Sequence, residues 1–293
     1  MKVIVLGASG LIGHKLFEKL SLRFETYGTI RSKAEKYEND FFSYYDNFIE
    51  QIDAHDFDNL TRNLNRIDPD VILNCIGITK RKDEISVPLK SIYVNSLFPH
   101  KLLSWASNNN KRMIHFSTDC VFNGLDGNYT ESSLTNSEDC YGRTKALGEV
   151  NSKNGLTIRS SFIGRELITN SELLEWFLSE ENESIKGFKN ALYSGVSTNF
   201  LAKIVGDIIE YYPKLCGIRQ LSVKNPISKY DLLNIAKEKF KKNINIIPDE
   251  KFKIDASLNG DLLRGEISYG NPNWNDMMEE LSADSKFYKS YKN

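Results

Sequence analysis

The residues best equipped for chemistry are Thr118, Tyr141 and Lys145. Tyr141 and Lys145 stand four apart, so on a helix they share one face on successive turns. A tyrosine that must exchange a proton near neutral pH needs its phenol pKa, about 10 when unperturbed, pulled down. A lysine ammonium one turn away does this, because nearby positive charge favours phenolate. Upstream, Ile114-His115-Phe116-Ser117-Thr118-Asp119-Cys120 reads as an apolar strand ending in polar groups. Thr118 then adds a hydroxyl at the carboxyl edge of a sheet, where open α/β sheets bind ligands. A Tyr-x-x-x-Lys pair alone is a common surface spacing. The hydroxyl-bearing strand end and a nucleotide pattern at the N-terminus set this one apart.

That pattern begins with Lys2-Val3-Ile4-Val5-Leu6, a β-branched run, followed at once by Gly7-Ala8-Ser9-Gly10-Leu11-Ile12-Gly13 and a helical stretch. A strand, a glycine-rich turn and a helix in this order form a dinucleotide site. Gly7 permits the tight turn, Gly10 lets the backbone approach a pyrophosphate, and Gly13 lets helix pack on strand. The helix N-terminus offers free N–H groups to the phosphates. Gly7, Ser9, Gly10, Leu11 and Ile12 are therefore candidate cofactor contacts.

Glu25–Ile30 reads as a second strand. An acid at its end would suit the ribose 2′-hydroxyl of NAD. Arg31-Ser32-Lys33 stands there instead, and two cations with a hydroxyl suit a 2′-phosphate. NADPH is favoured, with NADH left open; the other reading of the trio is a charged solvent loop. Phe48–Ile52 reads as a third short strand, with Asp53 placed to meet an adenine edge. Val71–Gly77 is a buried strand whose small end, Cys75, Ile76 and Gly77, suits a cofactor ribose. In a helix over Tyr93–Ala106, Asn95 either braces the site or simply satisfies backbone groups. The charge run Lys80–Glu84 is either a solvated face or a substrate contact.

The remaining elements and the bulk properties bound the protein class. Thr157–Ile163 reads as another strand, and Leu173–Leu178 as a helix whose aromatics face core or a dimer partner, so a homodimer stays open. A helix spans Phe200–Tyr211, Ser228 caps a helix over Lys229–Lys241, the chain turns irregular from Asn243, and a last helix lies near Trp274–Leu281. With 293 residues, 40% hydrophobic and 26% charged, the composition is that of an ordinary globular protein. A net charge of −1 points to neither a nucleic-acid nor a membrane partner. The four cysteines show no Cys-x-x-Cys spacing, so they read as reduced cytoplasmic thiols and no metal site is expected. Strand–helix alternation to about residue 160 predicts an α/β fold, a Rossmann doubly wound parallel sheet with a smaller mixed C-terminal lobe. Residues 1–160 form the NAD(P)-binding domain and 161–293 a substrate lobe interleaved with it.

Taken together, the glycine turn, Ser117-Thr118-Asp119-Cys120-Val121-Phe122-Asn123-Gly124 and Tyr141-Gly142-Arg143-Thr144-Lys145 resemble the extended short-chain dehydrogenase/reductase family, in its dTDP-4-dehydrorhamnose reductase-like branch. The resemblance implies a nicotinamide cofactor and a nucleotide-sugar substrate. By that likeness Thr118, Tyr141 and Lys145 are the catalytic trio, Lys145 also binds cofactor ribose, and Asp119 lies beside the sugar. Dehydratase relatives carry Glu where this chain has Cys120, which favours a simple reductase. The branch usually has Arg-Thr-Ser-Trp where Arg159-Ser160-Ser161-Phe162 stands, so Ser161 and Phe162 are expected on the hexose side. Its alanine-led loop reads Cys75-Ile76-Gly77-Ile78 here. The implied function is an NADPH-dependent reductase of a 4-keto-6-deoxy nucleotide sugar. A nucleotide-sugar epimerase with tightly bound NAD and a non-catalytic regulatory subunit are the alternatives.

Overall fold

The computed structural model describes residues 1–37, 41–42, 44–81 and 83–292; Lys82, within the charge run noted above, lies outside them. The first half runs β1 (Lys2–Leu6), α1 (Gly13–Leu20), β2 (Glu25–Thr29), β3 (Phe48–Ile49), α2 (Phe57–Ile67) and β4 (Val71–Asn74). A continuous helix follows in three parts: α3 (Pro88–Ser91), a π-wound stretch (Ile92–Leu97) and α4 (Phe98–Asn108). Then come β5 (Arg112–Ser117), α5 (Cys140–Leu147) and β6 (Gly155–Arg159). The second half holds β7 (Phe162–Ile163), α6 (Leu173–Ser179), β8 (Ser184–Tyr193), β9 (Val196–Ser197), α7 (Thr198–Tyr211) and β10 (Gly217–Gln220). It ends with β11 (Ile227–Ser228), α8 (Lys229–Lys239), β12 (Asn245–Asp255), α9 (Asp261–Ile267), α10 (Trp274–Ala283) and α11 (Ser285–Lys292).

Seven parallel strands form the main sheet in the order β10-β6-β5-β4-β1-β2-β3. Both its faces are covered. Val3 and Val5 of β1 join one buried cluster with Leu16, Phe17 and Leu201, while Ile4 and Leu6 join another with Leu60, Leu64, Phe98 and Leu102. Successive side chains of a strand point to opposite faces, so an unbroken apolar run is what a doubly covered strand requires. The expected doubly wound α/β fold is therefore present. A three-stranded sheet, β11-β8-β12, and the short pair β7-β9 make up the smaller mixed part.

Several elements differ from expectation. β4 stops at Asn74, and Cys75 to Gly77 form an open loop rather than the strand's end. β3 is two residues long, stopping short of Ile52. The run expected as one strand over Thr157–Ile163 divides: β6 ends at Arg159, and Phe162–Ile163 leaves the sheet to pair with Val196–Ser197. Beyond Asn243 the chain is not irregular; Asn245–Asp255 is an eleven-residue edge strand paired with β8. β8 itself and β10, the seventh strand of the main sheet, carry no sequence signal that marked them. Ser228 does cap α8, its Oγ accepting from Asp231 N at 3.0 Å.

Candidate active site

β5 delivers Ser117, Thr118 and Asp119 to the carboxyl edge of the sheet. The Thr118 hydroxyl donates to Asp119 Oδ1 at 3.0 Å and accepts from Cys120 N at 3.1 Å. α5 starts behind Asp139, whose carboxylate accepts from Gly142 N at 2.7 Å, as an N-cap should. Two glycines let this helix come close. A Cβ at Gly142 would collide with the Cys120 carbonyl and the Ser137 side chain, and one at Gly148 with the Asn95 carbonyl. Tyr141 and Lys145 are thereby pressed against the end of β5, with the Tyr141 phenol near Thr118.

The electrostatics depart from expectation at Tyr141. Burial raises the phenol pKa, with Cys120, Asp119 and Glu172 adding to the rise and Thr118 opposing it. Lys145 is turned to other partners. Its Nζ donates to the Phe116 carbonyl at 2.7 Å and stands 3.4 Å from His115 Nε2. The phenol is therefore protonated at neutral pH in this state, which suits a proton donor. The Lys145 ammonium is pushed down to about 8, chiefly by burial.

His115, fully buried, bears on that lysine. Ile76 N–H donates to Asn74 Oδ1, so Asn74 Nδ2 donates to His115 Nδ1 at 3.1 Å. Burial holds the imidazole neutral, with its pKa well below the usual range. With Nδ1 accepting, the ring proton sits on Nε2, so the 3.4 Å approach to Lys145 Nζ is a contact between two donors, and the Phe116 carbonyl is the partner that holds the lysine. Below the trio, Glu149 accepts from Ser117 Oγ at 2.7 Å and pairs with Arg159 through two bonds of 2.7 Å. This buried clamp fixes the end of α5 to the ends of β5 and β6.

The expected cofactor residues line the same edge. Gly7 has φ +81°, left-handed backbone that suits glycine. A Cβ at Gly13 would strike the Gly7 carbonyl, whereas one at Gly10 would meet only Gly7 O at 3.5 Å. Gly13 therefore serves packing, and Gly10 faces open space. Ser9, Leu11 and Ile12 lie along this half-exposed turn, and α1 begins at Gly13 with no side-chain cap, its His14 N–H bonded to the Gly10 carbonyl at 3.2 Å. Arg31, Ser32 and Lys33, with Glu35 and Gln51, line an open depression of about 550 Å³. Asp53 is engaged locally, accepting from His55 N at 2.8 Å and His55 Nδ1 at 2.9 Å.

Asn95 lies in the π-wound stretch, a geometry common where function displaces regular helix. Its Oδ1 accepts from Ile78 N at 2.8 Å, and its Nδ2 donates to Ile78 O at 3.0 Å and Thr144 Oγ1 at 3.2 Å. It thus ties the loop of Cys75, Ile76 and Gly77 to α5. Lys80 stands 5.9 Å from the Tyr141 ring and pairs with Asp139 at 2.6 Å. Arg81 bonds the Ser171 carbonyl, closing this loop against the segment before α6. Phe162 is half-buried, edge-on to Phe116 with centroids 6.2 Å apart, and the Ser161 carbonyl accepts from Val196 N at 2.9 Å. Sequence reasoning gave no role to Gly148, Glu149, Arg159 or His115. Only the glycine between Tyr141 and Arg143 was visible within a motif.

Over residues 1–257 the chain matches the family model described as RmlD substrate binding domain. It belongs to that family. The chain is 30% identical over 169 residues to the probable low-salt glycan biosynthesis reductase Agl14 of Haloferax volcanii, covering 56% of this chain and 54% of that protein. It is 26% identical over 150 residues to the dTDP-4-dehydrorhamnose reductase of Mycolicibacterium smegmatis, covering 50% and 40% respectively. The chain thus spans about half the length, or less, of these curated relatives. Among solved structures it resembles the dTDP-4-dehydrorhamnose reductase of Bacillus anthracis in complex with NADP, with TM-score 0.80, 17% identity and coverage of 97% and 99%. At that identity the likeness is one of fold. Among the described residues no helix is long and apolar enough to cross a membrane.

Proposed function

We propose that this RmlD-family chain is an NADPH-dependent reductase of a 4-keto-6-deoxy nucleotide sugar. The observation that carries the reading is the convergence of Thr118, Tyr141 and Lys145 on the sheet edge that also holds the glycine turn. Gly7, Ser9, Gly10, Leu11 and Ile12 would hold a pyrophosphate, Asp53 the adenine, and Cys75, Ile76, Gly77 and Lys145 the ribose nearer the chemistry. The fit is supported by the open space at Gly10 and by the depression beside Arg31. When bound, the reduced nicotinamide supplies a hydride to the keto carbon. Tyr141 gives its proton to the developing alkoxide, and Thr118 holds the same oxygen by a bond that strengthens as charge develops. Asp119, Ser161 and Phe162 would border the sugar, with residues 161–293 (β10 apart) forming most of its lobe.

Four free cysteines and a reaction on soluble nucleotide sugars support a cytoplasmic setting. The exposed Leu89, Ile92, Leu97 and Leu147, on helices that pack side by side, support a second copy of the chain docking there. Incubation with NADPH and a panel of 4-keto-6-deoxy sugar nucleotides tests the activity. Stoichiometric NADPH oxidation supports a reductase; conversion of a sugar nucleotide with no net cofactor change would make it an epimerase, and inertness a regulatory subunit.

Two expected results follow from the cofactor side. Arg31→Ala is expected to weaken NADPH about ten- to a hundredfold, the worth of a charge-assisted phosphate contact, while leaving NADH nearly unchanged. Glu35 lines the same depression, but Arg31 and Lys33 outnumber it. Equal losses for both cofactors, measured calorimetrically, would remove Arg31 from the 2′-phosphate. NADPH affinity is also expected to fall as pH rises through about 8, because Lys145 loses its proton there. A Kd flat from pH 7 to about 10 would show that the Lys145 charge takes no part.

A further inference from the structure

We propose that Tyr193 is a second phenol of the substrate cleft, a hydrogen-bond donor to a hydroxyl of the bound sugar. The inference rests on the reading of that cleft as a sugar site. Tyr193 closes β8 and is only 9% exposed, yet its Oη has no hydrogen-bond partner among the described residues. Buried hydroxyls are almost always paired, so an orphan of this kind needs a cause. A ligand that completes the bond is such a cause.

The surroundings place the orphan at the reaction site. The phenol end of Tyr193 lies beside the Ser161–Phe162 segment, since a Cβ at Gly195 would strike both the Ser161 carbonyl and the Tyr193 ring. Burial chiefly raises the pKa of this phenol, and Asp119, Glu172 and Cys120 add to the rise, as the same three do at Tyr141. The Tyr193 ring is held in place. The Trp274 ring packs on it with centroids 5.4 Å apart, Ile227 opposes it across the β11 pairing, and Gly195 leaves the room that a Cβ would take from the ring. A sugar hydroxyl both accepts and donates, so one can accept from Tyr193 and donate to a carboxylate such as Asp119, which already accepts from Thr118. The chemistry that fits is a polyhydroxylated ring, not an apolar or purely anionic ligand.

The test is Tyr193→Phe, which keeps the ring and deletes only the orphan hydroxyl. Binding of dTDP-4-keto-6-deoxyglucose in the presence of NADP⁺, where no turnover occurs, is expected to weaken roughly three- to tenfold, the worth of a neutral hydrogen bond. The Tm of the ligand-free variant should be retained or raised, because no native bond is lost, and NADPH affinity should not change. Equal sugar-nucleotide affinity in the two proteins would overturn the proposal, and so would a lower Tm, which would mean the hydroxyl is paired within the fold. If the wild-type protein itself does not bind this probe, the proposed substrate class fails together with the role of Tyr193. Wild-type binding with an unchanged variant defeats Tyr193 alone.

Discussion

Tyr141→Phe is expected to lower the turnover of a 4-keto sugar nucleotide at least a hundredfold while NADPH binding stays nearly intact. General acid catalysis by a placed side chain contributes about 10²- to 10⁴-fold, and the phenyl ring retains the packing of the phenol against the end of β5. The size of the effect follows from the site. Burial keeps the Tyr141 proton on the phenol, Thr118 lies nearby, and the buried Lys145 is turned to the Phe116 carbonyl. Steady-state turnover with saturating NADPH measures the loss. A variant retaining more than about a tenth of the wild-type rate would mean that the proton comes from elsewhere, since this acid should be worth two decades or more.

The largest stability effect is expected at the Glu149–Arg159 clamp. The two side chains are 5% and 3% exposed and meet through paired bonds of 2.7 Å. Removing one partner from such a pair strands a buried charge and typically costs about 3–5 kcal/mol. Glu149→Ala should cost this much in urea denaturation, because Arg159 already has one nitrogen, Nη1, without a partner among the described residues. The double variant Glu149→Leu, Arg159→Met should recover most of the loss, since apolar replacement of a whole buried pair is often neutral. A loss below about 1 kcal/mol in the single variant would show that the pair behaves as an exposed one. Turnover should fall in Glu149→Ala beyond the loss of folded protein, as the clamp anchors the helix that carries Tyr141 and Lys145.

The amino-acid sequence by itself determined the β1–turn–α1 unit, β4, β5 and the spacing of the trio, because each signal is local. An apolar run, a glycine at a turn of φ +81° and a four-residue interval are all legible within one element. The tertiary structure alone decided the rest. β12 is mostly exposed along its length, so no apolar alternation announces it; pairing with β8 makes it a strand. The expectation that Lys145 would lower the Tyr141 pKa came from their shared helix face, and packing overruled it. The Phe116 carbonyl, on a strand some thirty residues away, turns Lys145 elsewhere. Asn95, in the π-wound stretch, meets Ile78 and Thr144, contacts that no local pattern announces. Tyr193 comes to lie beside Ser161 only because β8 and the turn at Gly195 pack against the Phe162–Ile163 segment. Interval and periodicity describe what one segment does with itself, whereas burial, charge and hydrogen-bond partners depend on which distant segments are folded against it.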